Sequence, residues 1–194
     1  MAADAVARVA VFLDRDGVIN RRAPAGDYVR DVAEFELTPG AIRALAALAQ
    51  AGASLFIVTN QRGVARGLVA QADLDEIHAQ LVAELARAKV ALGGIYVCPH
   101  EIGTCSCRKP DVGLFEQAQA AHPWITFGDS HLVGDSLSDI EAGHRLGMHL
   151  WVVGEDAQAL ARQGAKRGIR VEAAAASINE LVEEGSLLAA VANR

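Results

Sequence analysis

A chain of 194 residues with 52% hydrophobic and 22% charged side chains can bury a full core and is too apolar to stay disordered, so one soluble globular domain over residues 1–194 is expected. Its formal net charge of -6 gives no encouragement to nucleic acid or anionic membranes, and no apolar run approaches the roughly 20 residues that span a bilayer. The opening Met1-Ala-Ala-Asp4 lacks the basic and then apolar regions of a signal peptide, which makes the cytoplasm the expected compartment; with no obvious exposed apolar seam, a monomer is expected.

Strand-like runs recur at residues 7–13, 54–59, 94–98, 131–134 and 149–153, with helical patterns between them. Residues 38–52 read as a helix, with Thr38 as the cap, Pro39 in the first turn and Gly52 at the stop. Leu74, Ile77, Leu81 and Leu85 fall on one face of a helix over 71–89. Residues 111–121 and 138–147 read as two more helices. Ser177-Ile-Asn-Glu180 is a capping box opening a last helix, so that a strand and helix occupy about 168–185. The Ala-rich stretch 155–176 carries the weakest pattern. Alternating strands and helices predict an α/β fold, a doubly wound (Rossmann-like) parallel sheet. The intervals from Asp16 to Thr59 and from Asn60 to Arg108 are filled by expected elements, leaving no room for a cap domain of about 50 residues. Loops alone cover the crevice, chiefly residues 21–30.

In such a sheet the carboxyl ends of the strands converge on one crevice. The first expected strand stops at Asp14-Arg-Asp16-Gly17, two carboxylates one residue apart followed by a permissive glycine. Like charges so close call for protons or a hard cation such as Mg2+. The second ends in Thr59-Asn60-Gln61-Arg62-Gly63, whose donors suit phosphoryl oxygens. The fourth ends in Gly134-Asp135-Ser136-Leu-Ser-Asp139, and Arg108-Lys109-Pro110 puts two cations just before a helix. Each could be an ordinary cap or turn alone; together at successive strand ends they point to one site.

All three cysteines lie in Cys98-Pro-His100-Glu-Ile-Gly-Thr-Cys105-Ser-Cys107. With His100 they complete a Cys3His set for structural zinc, which would staple the loop leading to Arg108 and Lys109.

The order of Asp14-x-Asp16-Gly17, Thr59, Lys109 and Gly134-Asp135-x-x-x-Asp139 resembles the haloacid dehalogenase superfamily of phosphohydrolases. Phe12 through Asn20, Thr59 through Gly67, and Cys98-Pro-His100 through Cys107-Arg-Lys-Pro110 are similar, more narrowly, to its histidinol-phosphate and heptose-bisphosphate phosphatase branch, from about Arg8 to Val153. The resemblance implies a phosphomonoesterase with Asp14 as nucleophile and Asp16 as general acid and base, which requires a raised pKa. It implies Mg2+ at Asp14, Asp135 and the Asp16 backbone carbonyl, Thr59 and the Asn60 backbone on the phosphoryl oxygens, and Lys109 on the transition state. Asp139 is expected to orient Lys109 or a metal-bound water. Ser136 stands where relatives often have lysine, a departure that bears on substrate geometry. Arg108 is the candidate for a second phosphate; Asp27, Tyr28, Gln61 and Arg62 are candidates for sugar contacts, with Arg21, Arg22 and Arg66 near the rim. The implied substrate is a phosphosugar, D-glycero-D-manno-heptose 1,7-bisphosphate cleaved at the 7-phosphate. The short zinc loop keeps histidinol phosphate as an alternative. A receiver-type signalling domain shares the acids, Thr and Lys, but its acidic pair stands in direct succession and it has no zinc loop.

Overall fold

The computed structural model describes residues 9–193; residues 1–8, which carry the first four residues read for targeting and the start of the first expected strand, lie outside it. The elements run β1 (Val9–Leu13), α1 (Ala41–Gln50), β2 (Ala53–Asn60), α2 (Arg62–Ala65), α3 (Gln71–Arg87), β3 (Leu92–Cys98), α4 (Gly113–Ala121), β4 (His131–Gly134), α5 (Leu137–Arg145), β5 (His149–Val153), α6 (Ala157–Ala165), β6 (Ala173–Ala175), α7 (Ile178–Glu183) and α8 (Ser186–Ala192). A short 3-10 turn, Phe127–Asp129, precedes β4. The strands form one parallel sheet in the order β3-β2-β1-β4-β5-β6.

Every residue of β1 is buried, as a central strand covered on both faces requires. Its alternate side chains serve two cores. Val9, Val11 and Leu13 join α1, α3, α7 and α8 on one face, including Leu45, Leu48, Ile77, Leu81 and Leu181. Ala10 and Phe12 join α4, α5 and α6 on the other. Phe12 stacks on Phe56 and meets Phe115 edge-on, each at a centroid distance of 5.2 Å. These rings supply much of the bulk of that core, which is otherwise mainly aliphatic.

The order of strands reverses beside β1, whose neighbours are β2 and β4. Parallel sheets bind ligands where the crossovers diverge, at the carboxyl ends of the strands. Asp14 follows β1 and Asp135 follows β4, so the topology alone makes these acids neighbours. Between β1 and β2 lie only a loop and α1; between β2 and Arg108 lie α2, α3, β3 and the cysteine loop.

Two local expectations fail. Thr38 does not cap α1: the cap is Gly40, in the left-handed region at φ 79°. The Thr38 backbone is committed elsewhere, its N–H donating to Ile19 O and its carbonyl accepting from Ala41 N. Ser177 does cap α7, accepting from Glu180 N, but α7 is not last; Gly185 turns the chain into α8. Among the described residues no helix is long and apolar enough to cross a membrane.

Candidate active site and metal centres

The crevice encloses about 300 Å³ and is lined by Asp14, Asp16, Thr59, Asn60, Arg108, Lys109, Ser136 and Asp139, with the 22–29 loop as its outer wall. Lys109 is the buried hub. Its ammonium donates to Asp14 Oδ1 at 2.8 Å and Val58 O at 2.7 Å, and pairs with Asp139 Oδ1 at 2.6 Å. Two of these contacts are hydrogen bonds and the third is an ion pair. Burial opposes the charge, but Asp139 and Asp14 more than offset it and hold the ammonium above its ordinary pKa.

Asn60 fixes the backbone that carries this lysine. Its side chain accepts from Lys109 N at 3.0 Å and donates to Lys109 O at 3.1 Å, closing a two-bond clamp next to the cis Lys109–Pro110 peptide. Asp139 does two jobs: one oxygen meets Lys109, and the other accepts from Ser136 N at 3.0 Å, which closes the capping box of α5. Asp139 thus touches Lys109, one of the two groups it is expected to orient. Ser136 serves as the N-cap of α5 and adds no cation.

Asp14, Asp135 and Asp139 each bring a carboxylate oxygen to within 4.8 Å of the others. Burial pushes Asp14 up to about 6, with Lys109 opposing and Asp139 reinforcing the rise. Burial and the charges of Asp14 and Asp139 push Asp135 up to about 8, against Arg22 and Lys109. An all-oxygen, buried and crowded acid cluster with excess negative charge fits a hard divalent cation. Gly17 makes room for the Asp135 carboxylate: at φ 89°, a Cβ there would stand 1.7 Å from Asp135 Oδ2. Arg22, half exposed on the 22–29 loop, reaches Asp135 Oδ1 at 2.5 Å.

Asp16 departs from expectation in its pKa. Its carboxylate stands apart from that acid cluster. It is bound by Arg15 Nη2 at 2.9 and 3.0 Å, by Asn20 at 2.8 Å and by Gln61 at 2.7 Å. Burial alone would raise its pKa, but the Arg15 charge and these hydrogen bonds win and hold it below the usual carboxylate range. A raised value was expected; the buried partners that lower it come from Arg15, Asn20 and Gln61.

The expected substrate contacts divide. Asp27, Tyr28 and Arg108 line the crevice. Arg108 Nη1 is buried with no hydrogen-bond partner among the described residues. Gln61 also lines the crevice, and although only 2% exposed it donates to Asp16 and, at 2.8 Å, to Thr59 Oγ1, bracing both. Arg62 is not on the crevice wall; it donates to the Tyr28 hydroxyl at 3.1 Å and pairs with Glu101 at 3.4 Å. It ties the outer loop to the cysteine loop instead. Arg15 and His78 were missed because nothing local marks a buried arginine whose acceptor lies 63 positions away.

Cys98, His100, Cys105 and Cys107 form the second cluster. Cys98 Sγ lies 3.6 Å from Cys105 Sγ, Cys105 Sγ 3.3 Å from Cys107 Sγ, and His100 Nδ1 3.2 Å from Cys107 Sγ. Zn–S bonds of about 2.3 Å in a tetrahedron require S···S edges of about 3.8 Å, so the four atoms fit zinc after small adjustments. No cysteine is in a disulfide.

A HAD-hydrolase-like family model matches residues 106–181. The D-glycero-alpha-D-manno-heptose-1,7-bisphosphate 7-phosphatase of Mycobacterium tuberculosis is 46% identical over 137 residues, 70% of this chain and 72% of the relative. The D-glycero-beta-D-manno-heptose-1,7-bisphosphate 7-phosphatase of Bordetella bronchiseptica is 35% identical over 178 residues, 90% of this chain and 98% of the relative. The crystal structure of the D,D-heptose bisphosphate phosphatase of B. bronchiseptica, complexed with magnesium and phosphate, superposes with a TM-score of 0.80 at 32% identity, over 91% of this chain and 97% of that one. Identity of this degree over most of both chains places the chain among the haloacid dehalogenase-like phosphatases, in the branch of the heptose-bisphosphate phosphatases.

Proposed function

We propose that this phosphatase removes the 7-phosphate of D-glycero-D-manno-heptose 1,7-bisphosphate through an aspartyl-phosphate on Asp14, as one domain with Mg2+ for catalysis and Zn2+ for structure. The observation that carries the reading is the buried Lys109–Asp14 contact of 2.8 Å at the end of the central strand, beside Asp135 and in a crevice reached by Arg108.

Asp14 attacks phosphorus in line with the sugar oxygen: a P–O bond forms to the carboxylate and the ester P–O bond breaks. Asp16 gives its proton to the departing oxygen, then takes one from the water that hydrolyses the aspartyl-phosphate, releasing phosphate and restoring Asp14. The Arg15 guanidinium favours the ionised form of Asp16, so a proton carried there passes readily to the departing oxygen while the contact holds the carboxylate in place. Thr59 Oγ1 already accepts from Gln61, which leaves its own proton for a phosphoryl oxygen. Lys109 acts on the trigonal phosphoryl group by charge. Mg2+ held by Asp14, Asp135 and the Asp16 carbonyl would offset the negative charge of the phosphoryl oxygens and the crowded acids.

The buried, unpartnered Arg108 Nη1 supports a second phosphate and favours a bisphosphate over histidinol phosphate, whose ammonium would face Arg22 and Arg108 across the crevice. Reduced thiols held as a zinc site suit the cytoplasm. Initial rates for both anomers of the heptose bisphosphate and for histidinol phosphate on one preparation test the reading. A kcat/KM at least about 100-fold higher for a heptose bisphosphate is expected, the size of effect a lost charged contact gives. A preference for histidinol phosphate would overturn the substrate, and a single stoichiometric phosphorylation without turnover would restore the signalling-domain alternative.

For zinc, elemental analysis should find about one per chain, and Cys105→Ser with Cys107→Ser should lose it. Because the cysteine loop leads directly into Arg108 and Lys109, that variant should also lose most of its activity with Mg2+ in excess. Full zinc content in the double variant would contradict the ligand set.

A further inference from the structure

Arg15 is wholly buried, and its guanidinium is held at both ends. Nε and Nη2 meet Asp16, while Nη1 faces His78 Nε2 at 3.1 Å. Guanidinium can only donate, so His78 Nε2 must accept and the ring proton sits on Nδ1. Asp16 in turn receives Gln61, and Gln61 also holds Thr59. A continuous chain of hydrogen bonds therefore runs from α3 to the two residues expected to meet the leaving oxygen and the phosphoryl group.

We propose that His78, which does not line the crevice, is a positioning residue for the phosphatase reaction: through Arg15 it fixes where the Asp16 carboxylate stands. The inference rests on the reading of Asp16 given above. A guanidinium pinned only by Asp16 could pivot, carrying the carboxylate with it; one pinned at both ends cannot. The charged groups acting on the imidazole are Arg15 and Asp16 from the loop after β1 and Asp75 on its own helix. Burial and Arg15 push it down to about 4 against the pull of the two acids, so it stays a neutral acceptor at neutral pH.

His78→Leu removes the acceptor, and His78→Gln restores one through its amide oxygen. The Leu variant should lose roughly 10- to 100-fold in kcat with KM within about twofold, since a misplaced group costs rate more than binding. The Gln variant should recover most of that loss. Nitrogen NMR of the histidine rings in the wild-type protein, which needs no variant to fold, should show His78 as the neutral Nδ1–H tautomer from pH 6 to 8. Wild-type kcat in the Leu variant, equal damage in both variants, or an Nε2–H tautomer would overturn the role. A wild-type protein that turns over no phosphomonoester would count against the phosphatase reading, a result separable from these because the tautomer is read without substrate.

Discussion

Replacing Asp14 with Asn should reduce phosphate release by about 10⁴-fold or more while leaving the fold intact. The loss follows because an amide cannot open the covalent route, and the remaining groups only orient the phosphoryl group. The tolerance of the fold follows from the charge balance. Asp14 is buried, and three acids crowd one ammonium. Lys109 keeps Asp139 at 2.6 Å and Val58 O at 2.7 Å after the change, so no buried cation is stranded. Removing one of the like charges relieves the pressure that raises Asp135. In magnesium-free buffer near pH 8 the Asn variant should therefore melt no lower than the wild type. Its affinity for Mg2+, measured by calorimetry, should fall, because one ligand oxygen has lost its charge. Residual turnover above about 1% of wild type would remove Asp14 from the nucleophile's role, since covalent catalysis leaves far less when its nucleophile is gone. A melting point well below wild type would show instead that the Lys109–Asp14 contact holds the site together.

The sheet was legible because β1 is fully apolar and both β1 and β4 stop at acids. Val9, Val11 and Leu13 against Ala10 and Phe12 divide between two cores in the alternation a covered strand demands. The helix over 71–89 was legible from its leucine and isoleucine spacing, and all four of those side chains are buried. Where the sequence offered little contrast, the reading thinned. Alanine serves helix and strand alike, and residues 155–176 turned out to hold α6 and the short β6 of three alanines. Thr38 looked like a cap because capping is a local signal, yet the bridge between Asn20 and Leu37 claims that stretch first. The site divides the same way. Acids at strand ends announce themselves; their partners do not. The Asn60 clamp on Lys109, the Gln61 brace on Asp16 and Thr59, and the Arg22–Asp135 pair join segments distant in the chain, and only the folded topology brings them together. The lowered pKa of Asp16 was missed for this reason, since it depends on a buried arginine with its own distant acceptor.

Without magnesium, the melting temperature should fall as pH rises from about 5.5 to 8.5, and saturating Mg2+ should stabilise the protein more at each step upward. Unfolded aspartates titrate near 3.9. In the folded protein burial and neighbouring acids push Asp14 up to about 6 and Asp135 to about 8. Between those values the folded chain holds protons that the unfolded chain has released. Stability then declines with pH, by about 1.4 kcal/mol per pH unit for each such proton, and the decline ends once the folded groups have ionised. Asp14 contributes up to about pH 6 and Asp135 alone from there to about 8. Asp16 acts in the opposite sense but outside this window: its lowered pKa adds stability that is lost only on acidification through the ordinary carboxylate range and below. Mg2+ competes with the same protons, so it binds the ionised cluster and stabilises by about 2.7 kcal/mol at 100 times its Kd. At about 2–4 °C per kcal/mol for a chain of this size, the gap between the two melting curves should widen from almost nothing to roughly 5–10 °C. Differential scanning measurements at fixed ionic strength decide it. A melting point that climbs with pH in magnesium-free buffer, or a magnesium shift that ignores pH, would mean that the acids at the ends of β1 and β4 do not share one cation.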